Sequence, residues 1–142
     1  MATTRTATTH WEGPLIGGSG NVSLDTSGVA KFDVTWASRS EEANGRTSPE
    51  ELIAAAHSSC YSMALSHALA GAGTPPESVQ TQASVTFQPG EGITGIALSV
   101  KAKVPGLSAE AFREAAENAK ANCPVSKALA GAPITLEAEL LD

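Results

Sequence analysis

Residues 48–71 read SPEELIAAAHSSCYSMALSHALAG, and this stretch decides the fold. Ser48 is a good helix-capping residue, Pro49 suits the first helical position, and Glu51 stands three residues after the cap, where it completes a capping box. The apolar run that follows ends at Gly71, so the pattern predicts a helix of about 22 residues, roughly 33 Å long. Its interior is apolar nearly all round, and we therefore expect it to be buried on more than one side as the spine of the core.

The segment before this helix has the character of β-structure. Alternating side chains bounded by turn residues predict three strands, at 7–11, 20–26 and 30–36. The polar, glycine-containing segment 37–47 is typical of an exposed loop, and it carries Arg39 and Arg46.

The segment after the helix predicts more strands and two further helices. We expect strands at 79–87 and 93–104, a helix at 109–121 capped by Ser108, a short helix from Pro124 to Leu129, and a last strand at 134–140. This order predicts a single α+β domain over residues 1–142, with helices packed against antiparallel sheet.

Composition excludes several classes of protein. The formal net charge is -6 and the nine Lys and Arg residues are scattered singly, so nucleic acid is not an expected partner. No run of 18 apolar residues predicts a membrane span, and the first residues lack the apolar core of a signal peptide. We therefore expect a cytoplasmic protein.

The two cysteines, Cys60 and Cys123, match neither a Cys-x-x-Cys redox turn nor a zinc-ribbon spacing. In a reducing compartment they are either inert core residues or a working pair. Cys60 lies in mid-helix, where a buried cysteine is ordinary, but the neighbouring His57 and serines at 58, 59 and 62 are unusual in a helix interior. A polar pocket at mid-helix is the alternative interpretation.

Cys123 precedes Pro124 at the predicted start of a helix, and the helix dipole makes it the more acidic thiol on local grounds. Cys60 needs a cation from elsewhere to become a nucleophile, and Arg39 and Arg46 are the candidates. Helix capping and the helix dipole are sufficient to explain the carboxylates of Glu50 and Glu51. A metal site formed by Cys60 with His57 and His67 is disfavoured, because about 10 Å of helix separates His67 from Cys60.

Residues 47–66, TSPEELIAAAHSSCYSMALS, closely resemble the OsmC/Ohr family of osmotically inducible and organic-hydroperoxide-resistance proteins. The resemblance extends to HWEG at 10–13, KANCPVSKAL at 120–129 and ITLE at 134–137, and the opening is similar to the OsmC branch. It implies an OsmC-like fold, with antiparallel sheets around a long central buried helix, in an intertwined homodimer with sites at the interface.

The resemblance also implies roles for four residues. Cys60 is the peroxidatic cysteine and Cys123 the resolving one, which overrules the ranking by helix dipole, while Arg39 and Glu50 hold the thiolate and the peroxide. Arg46 is the alternative to Arg39. Glu50 and Cys60 are ten residues apart, roughly 15 Å of straight helix, so a two-fold dimer would bring Arg39 and Glu50 of one chain to Cys60 of the other.

The function implied is a cysteine-based peroxidase that reduces organic hydroperoxides without cofactor or metal. An external dithiol, of lipoyl type by the resemblance, resets the disulfide between Cys60 and Cys123. Two other functions stay open: a non-enzymatic stress protein that binds a small apolar ligand, and a general disulfide oxidoreductase.

Overall fold

The computed structural model describes all residues from 1 to 142. Its helices and strands are β1 (Thr8–Glu12), β2 (Ser19–Ser23), β3 (Lys31–Val34), α1 (Trp36–Ser40), α2 (Pro49–Gly71), β4 (Ser78–Gln88), β5 (Gly92–Lys103), α3 (Ala109–Asn122), α4 (Pro124–Ala128) and β6 (Ile134–Leu141). None of the helices combines the length and apolar character that crossing a lipid bilayer requires. The chain divides into two compact units, Met1–Leu52 and Ile53–Asp142. The single domain expected from the sequence stays a prediction.

The first unit contains the three strands expected there, as an antiparallel sheet in the order β1-β2-β3. Gly20 leaves space for the neighbouring Trp11 and Val34 side chains: a Cβ at this position would lie 2.7 Å from the Trp11 ring and 3.0 Å from Val34. Only glycine allows the indole to approach β2 this closely. The indole Nε1 then donates to the carbonyl of Gly13 at 2.9 Å, which fixes the ring.

The prediction of an exposed loop at 37–47 is wrong for the first residues of that segment, because Trp36–Ser40 forms the short helix α1. Thr35 and Ser38 cap it reciprocally, each backbone N–H donating to the other side-chain oxygen at 3.0 Å. The Ser38 hydroxyl also donates to the carbonyl of Thr47 at 2.7 Å, which ties α1 to the residue before α2 starts. Serine in place of the usual Glu or Gln three residues after the cap made this helix hard to recognise.

α2 begins at Pro49 as predicted, and the Ser48 hydroxyl accepts the N–H of Glu51 at 3.1 Å. The capping box is only half formed, which corrects the expectation for Glu51. Its carboxylate accepts the Thr47 hydroxyl at 2.6 Å instead of the backbone N–H of Ser48.

The expectation that α2 is buried on more than one side is wrong for the single chain. One stripe is buried, formed at every fourth position by His57, Tyr61, Leu65 and Leu69. On another face Met63 is 71% exposed, and Ala55, Ala56 and Ser59 are exposed as well. The sequence makes the helix apolar nearly all round, but this chain covers one stripe of it.

The second unit contains a sheet in the order β4-β5-β6, and its strands match the predicted segments closely. β4 and β5 form the expected antiparallel hairpin, but β6 pairs with β5 in parallel, so the expectation of purely antiparallel sheet is wrong here. The connection through α3 and α4 explains this, because a parallel pair requires a crossover that returns the chain to the same end of the sheet.

The core of the second unit lies between this sheet and its helices. Buried side chains of α2, β5 and α3 meet there, among them Leu65, Leu98, Val100 and Phe112. The Tyr61 hydroxyl donates to the carbonyl of Ala116 at 2.9 Å, which fixes α2 against α3. The Tyr61 hydroxyl is therefore engaged in the core rather than available at a site beside Cys60.

Replacing Leu98, which is 2% exposed, tests this account of the core. We expect Leu98→Ala to lower the free energy of unfolding by about 2–5 kcal/mol, because it removes buried methyl groups and leaves a cavity. Leu141→Ala is the matched control: this side chain is 41% exposed at the end of β6, so its effect should stay below about 1 kcal/mol. Denaturant titration at one fixed protein concentration measures both, and equal losses would contradict this description of the core.

Candidate active site

The two cysteines, far apart in the sequence, meet in the second unit. Both are free thiols, and their side chains are near enough for each to shift the pKa of the other. Cys60 comes from the middle of α2, and Cys123 is the residue that caps α4. Cys60 is only partly buried, whereas Cys123 is 0% exposed. A solute arriving from solvent therefore reaches the sulfur of Cys60 and not that of Cys123.

The surroundings of the two sulfurs move their pKa values in opposite directions. Burial raises the pKa of the Cys60 thiol, and its hydrogen bond to Cys123 raises it further. Burial also acts to raise the pKa of Cys123, but hydrogen bonds from Cys60, from the backbone and hydroxyl of Ser126 and from the backbone of Val125 outweigh it, so the net pKa is lowered. Within the single chain Cys123 is the more acidic thiol, in agreement with its place at the start of α4.

Arg39 and Glu50 form an ion pair in the first unit. The Arg39 Nε donates to the two carboxylate oxygens of Glu50 at 3.0 and 3.2 Å, and Nη2 donates to Oε2 at 2.9 Å. This fork is the geometry in which guanidinium binds carboxylate most specifically. The Glu50 side chain is 7% exposed and that of Arg39 is 31% exposed, so the carboxylate is buried while part of the guanidinium remains accessible.

Local structure explains why this pair forms. α1 carries Arg39, the first turn of α2 carries Glu50, and the bond from Ser38 to Thr47 holds α1 at the residues that lead into α2. Arg46, the alternative arginine, is exposed and lines a separate polar cleft of the first unit. The structure thus pairs Glu50 with Arg39 and not with Arg46. It brings together Arg39 with Glu50 in one unit, and Cys60 with Cys123 in the other.

An apolar cavity of about 330 Å³ lies beside Arg39 within the first unit. Most of its walls are large apolar side chains, namely Trp11, Leu15, Val22, Trp36 and Leu52. Arg39 contributes the charged group of the lining, so the cavity combines room for an apolar chain with one cation.

The polar pocket considered at mid-helix is not formed by its serines. The hydroxyls of Ser58, Ser59 and Ser62 donate to carbonyls of α2 itself, three or four residues earlier. His57 is fully buried and burial lowers its pKa, whereas His67 is exposed. No group of three His, Cys, Asp or Glu side chains is arranged to hold a metal ion.

One residue near the cysteines was not predicted from the sequence. Ser126 is buried, its hydroxyl lies 2.7 Å from Nε2 of His57, and it lowers the pKa of Cys123. The available signal was its spacing: Ser126 follows Cys123 by three residues, where a side chain in the first turn of a helix faces the capping residue.

Comparison with known proteins places the chain in a family. Residues 41–139 match the family described as OsmC-like protein. The chain is 43% identical over 134 residues to Peroxiredoxin OsmC of Escherichia coli (strain K12), covering 92% of each chain. It is 28% identical over 116 residues to Organic hydroperoxide resistance protein OhrB of Bacillus subtilis (strain 168), covering 81% of this chain and 85% of that one. The crystal structure of Bacillus subtilis OhrB superposes with a TM-score of 0.65 at 26% identity, over 96% of this chain and 98% of that one. The chain therefore belongs to the OsmC-like protein family.

Proposed function

We propose that this protein is a cysteine-based peroxidase that reduces organic hydroperoxides to alcohols, with Cys60 as the peroxidatic and Cys123 as the resolving cysteine. The observation that carries the proposal is that a partly exposed thiol and a fully buried one are near enough for each to shift the pKa of the other. Two neighbouring sulfurs can convert a sulfenic acid to a disulfide. The names of the relatives, a peroxiredoxin and an organic hydroperoxide resistance protein, support the same chemistry.

The reaction has three steps. The Cys60 thiolate attacks the nearer oxygen of R-O-O-H, the O–O bond breaks, and the alkoxide takes a proton and leaves as alcohol, so that Cys60 becomes a sulfenic acid. Cys123 then attacks the Cys60 sulfur, the S–O bond breaks, and hydroxide leaves and is protonated to water. An external dithiol reduces the disulfide by thiol–disulfide exchange and is itself oxidised to a disulfide.

Ionisation of Cys60 is the demanding part of this scheme, because the pKa of its thiol is raised within the single chain. A cation beside the sulfur would reverse this, and the Arg39 guanidinium, oriented by Glu50, is the candidate. Ten residues separate Glu50 from Cys60, which is about 15 Å of helix. We therefore propose a two-fold homodimer in which Arg39 and Glu50 of one copy serve Cys60 of the other.

The exposed face of α2 supports the homodimer. Met63, Ala55 and Ala56 leave apolar surface uncovered on a helix that carries the peroxidatic cysteine. A second copy packed there would cover this surface and would exclude water from the thiolate. The interface and the completed site would then form in the same event.

The cavity beside Arg39 supports an organic substrate. Its volume of about 330 Å³ is within the range of small-molecule sites, and its walls are mainly apolar. We propose that it receives the carbon chain of the peroxide while the guanidinium binds the peroxide oxygens. Hydrogen peroxide has no carbon chain and would gain nothing from these walls.

The reductant and the compartment follow from the cysteine pair. A disulfide between Cys60 and the buried Cys123 exposes only the Cys60 sulfur to an attacking thiol, so a slim dithiol suits it better than a protein thiol with bulky surroundings. A lipoyl-type dithiol has this shape. A catalytic pair of free cysteines works in a reducing compartment, which supports the cytoplasm.

Variants at the two cysteines test their roles. One equivalent of an organic hydroperoxide should consume two thiols per wild-type chain and yield a peptide pair joined through Cys60 and Cys123, as seen by mass spectrometry. Cys60→Ser should abolish peroxide consumption, and Cys123→Ser should give one turnover followed by over-oxidation of Cys60. Ser84→Ala, at an exposed position of β4, is the control and should behave as wild type.

Two results would contradict the cysteine assignment. If the thiols persist after peroxide is added, the non-enzymatic ligand-binding function gains support. If protein disulfides are reduced without any need for peroxide, the chain is a general disulfide oxidoreductase.

Replacing the arginines tests which cation serves Cys60. We expect Arg39→Gln to lower kcat/KM for an organic hydroperoxide roughly 100-fold, because the charge that stabilises thiolate and peroxide is lost. Arg39→Lys keeps the charge without the fork that grips Glu50, and should lose less. Arg46→Gln is the matched control and should retain the wild-type value within about twofold; a larger loss in this variant than in Arg39→Gln would reassign the role.

Mixing two inactive variants tests the shared site. In a dimer of one Cys60→Ser copy and one Arg39→Gln copy, one of the two sites has both an intact arginine and an intact cysteine if they come from different copies. Random exchange should then restore about one quarter of wild-type activity. Sites built within one copy would give no recovery, and a co-expressed, affinity-purified heterodimer checks that exchange has taken place.

A further inference from the structure

A buried pair, His57 and Ser126, lies behind the resolving cysteine. The His57 Nε2 and the Ser126 Oγ are 2.7 Å apart, and both residues are shielded from solvent. His57 precedes Cys60 on α2 by three residues, and Ser126 follows Cys123 on α4 by three residues. Ser126 and Cys60 both act on the pKa of Cys123, so the four side chains follow one another from His57 through Ser126 and Cys123 to Cys60.

The direction of these bonds follows from the number of protons available. A serine hydroxyl has one proton, and at Ser126 that proton stabilises the sulfur of Cys123. His57 must then donate its Nε2–H to the serine oxygen, which leaves Nδ1 without a proton. That agrees with the surroundings of Nδ1, which is buried and has no hydrogen-bond partner.

The opposite tautomer is less favourable on two counts. A proton on Nδ1 would leave a buried N–H donor unpaired, and this costs more free energy than an unpaired acceptor nitrogen at the same position. It would also make Nε2 an acceptor and turn the Ser126 proton away from the sulfur. Burial lowers the pKa of His57, so the doubly protonated ring is disfavoured as well.

We propose that Ser126, oriented by His57, is a positioning residue that directs its hydroxyl to the Cys123 sulfur and favours the thiolate in the step that attacks the Cys60 sulfenic acid. This inference rests on the proposed function, because it concerns the resolving step of that reaction. The thiolate attacks the Cys60 sulfur, a sulfur–sulfur bond forms, the S–O bond breaks, and the hydroxide takes a proton from water after it has left the site.

No positive side chain competes with Ser126 for this role. The titratable groups that act on or are acted on by Cys123 are Cys60 and Tyr61, both from α2, and Glu117 on α3 acts on Tyr61. Ionised Tyr61 or Glu117 would oppose a negative charge on the sulfur. The charge of Cys123 is therefore stabilised by hydrogen-bond donors alone, of which the Ser126 hydroxyl is the one held by a second side chain.

A titration without peroxide tests the inference separately from the peroxidase activity. In a Cys60→Ser background Cys123 is the sole thiol, and its thiolate absorbance in the ultraviolet can be followed against pH. Ser126→Ala should move the midpoint to higher pH, and His57→Leu should move it in the same direction. Ser126→Thr keeps a hydroxyl and His57→Gln keeps a donor near the Nε2 position, so both should stay close to the parent.

The second experiment measures the resolving step itself in chains with both cysteines. After rapid mixing with an organic hydroperoxide, Ser126→Ala should form the disulfide about tenfold more slowly and accumulate over-oxidised Cys60. Ser126→Thr should restore the rate, and Ser84→Ala, at an exposed position of β4, is the control. Thermal unfolding of every variant checks that the fold is intact.

The inference is overturned by an unchanged Cys123 midpoint in Ser126→Ala, or by a threonine variant that resolves as slowly as the alanine variant. A shifted midpoint in a protein that fails to consume peroxide would leave the serine–histidine arrangement standing and remove the proposed peroxidase function instead.

Discussion

The approach of the Cys60 and Cys123 thiols to each other is the constraint on which the site depends. It exists because the middle of α2 is fixed against α3 and the start of α4. The buried stripe of α2 provides that fixation, and the Tyr61 hydroxyl bonded to the Ala116 carbonyl sets how far along α3 the helix sits. A shift of α2 by one turn, about 5.4 Å, would separate the sulfurs. The precision of the site is thus a property of the core.

Each of the two cysteines meets only one of the two requirements of the chemistry, which are accessibility and ionisation. Cys60 is accessible but has a raised pKa, and Cys123 is acidic but buried. Attack on a peroxide requires a sulfur that is both accessible and ionised. Within the single chain neither cysteine meets both conditions. The Arg39 guanidinium carries a charge of the right sign, and Glu50 orients it where two capped helices lie close together. The proposed dimer unites the accessible sulfur with that charge.

Local rules predicted most of the elements, and they failed where partners distant in sequence decide. Caps, turns and alternation located α2, α3, the hairpin of β4 and β5, and the last strand to within a few residues. α1 was missed because its cap uses Ser38 rather than a glutamate. The parallel pairing of β6 depends on the path of a crossover, which local pattern does not encode. The exposure of one face of α2 depends on what packs there, and apolar composition alone cannot show whether the same chain or a second copy covers it.

The sequence by itself determined the long helix, the position of Cys60 in its middle, the position of Cys123 at a helix start and the family. These depend on neighbours within a few residues, or on a motif written along the chain. Only the tertiary structure decided that the two thiols are neighbours, that Glu50 holds Arg39 rather than Arg46, and that Ser126 and His57 lie behind Cys123. Each of these arrangements joins residues from different elements, and its geometry is set by tertiary packing, which no local pattern specifies.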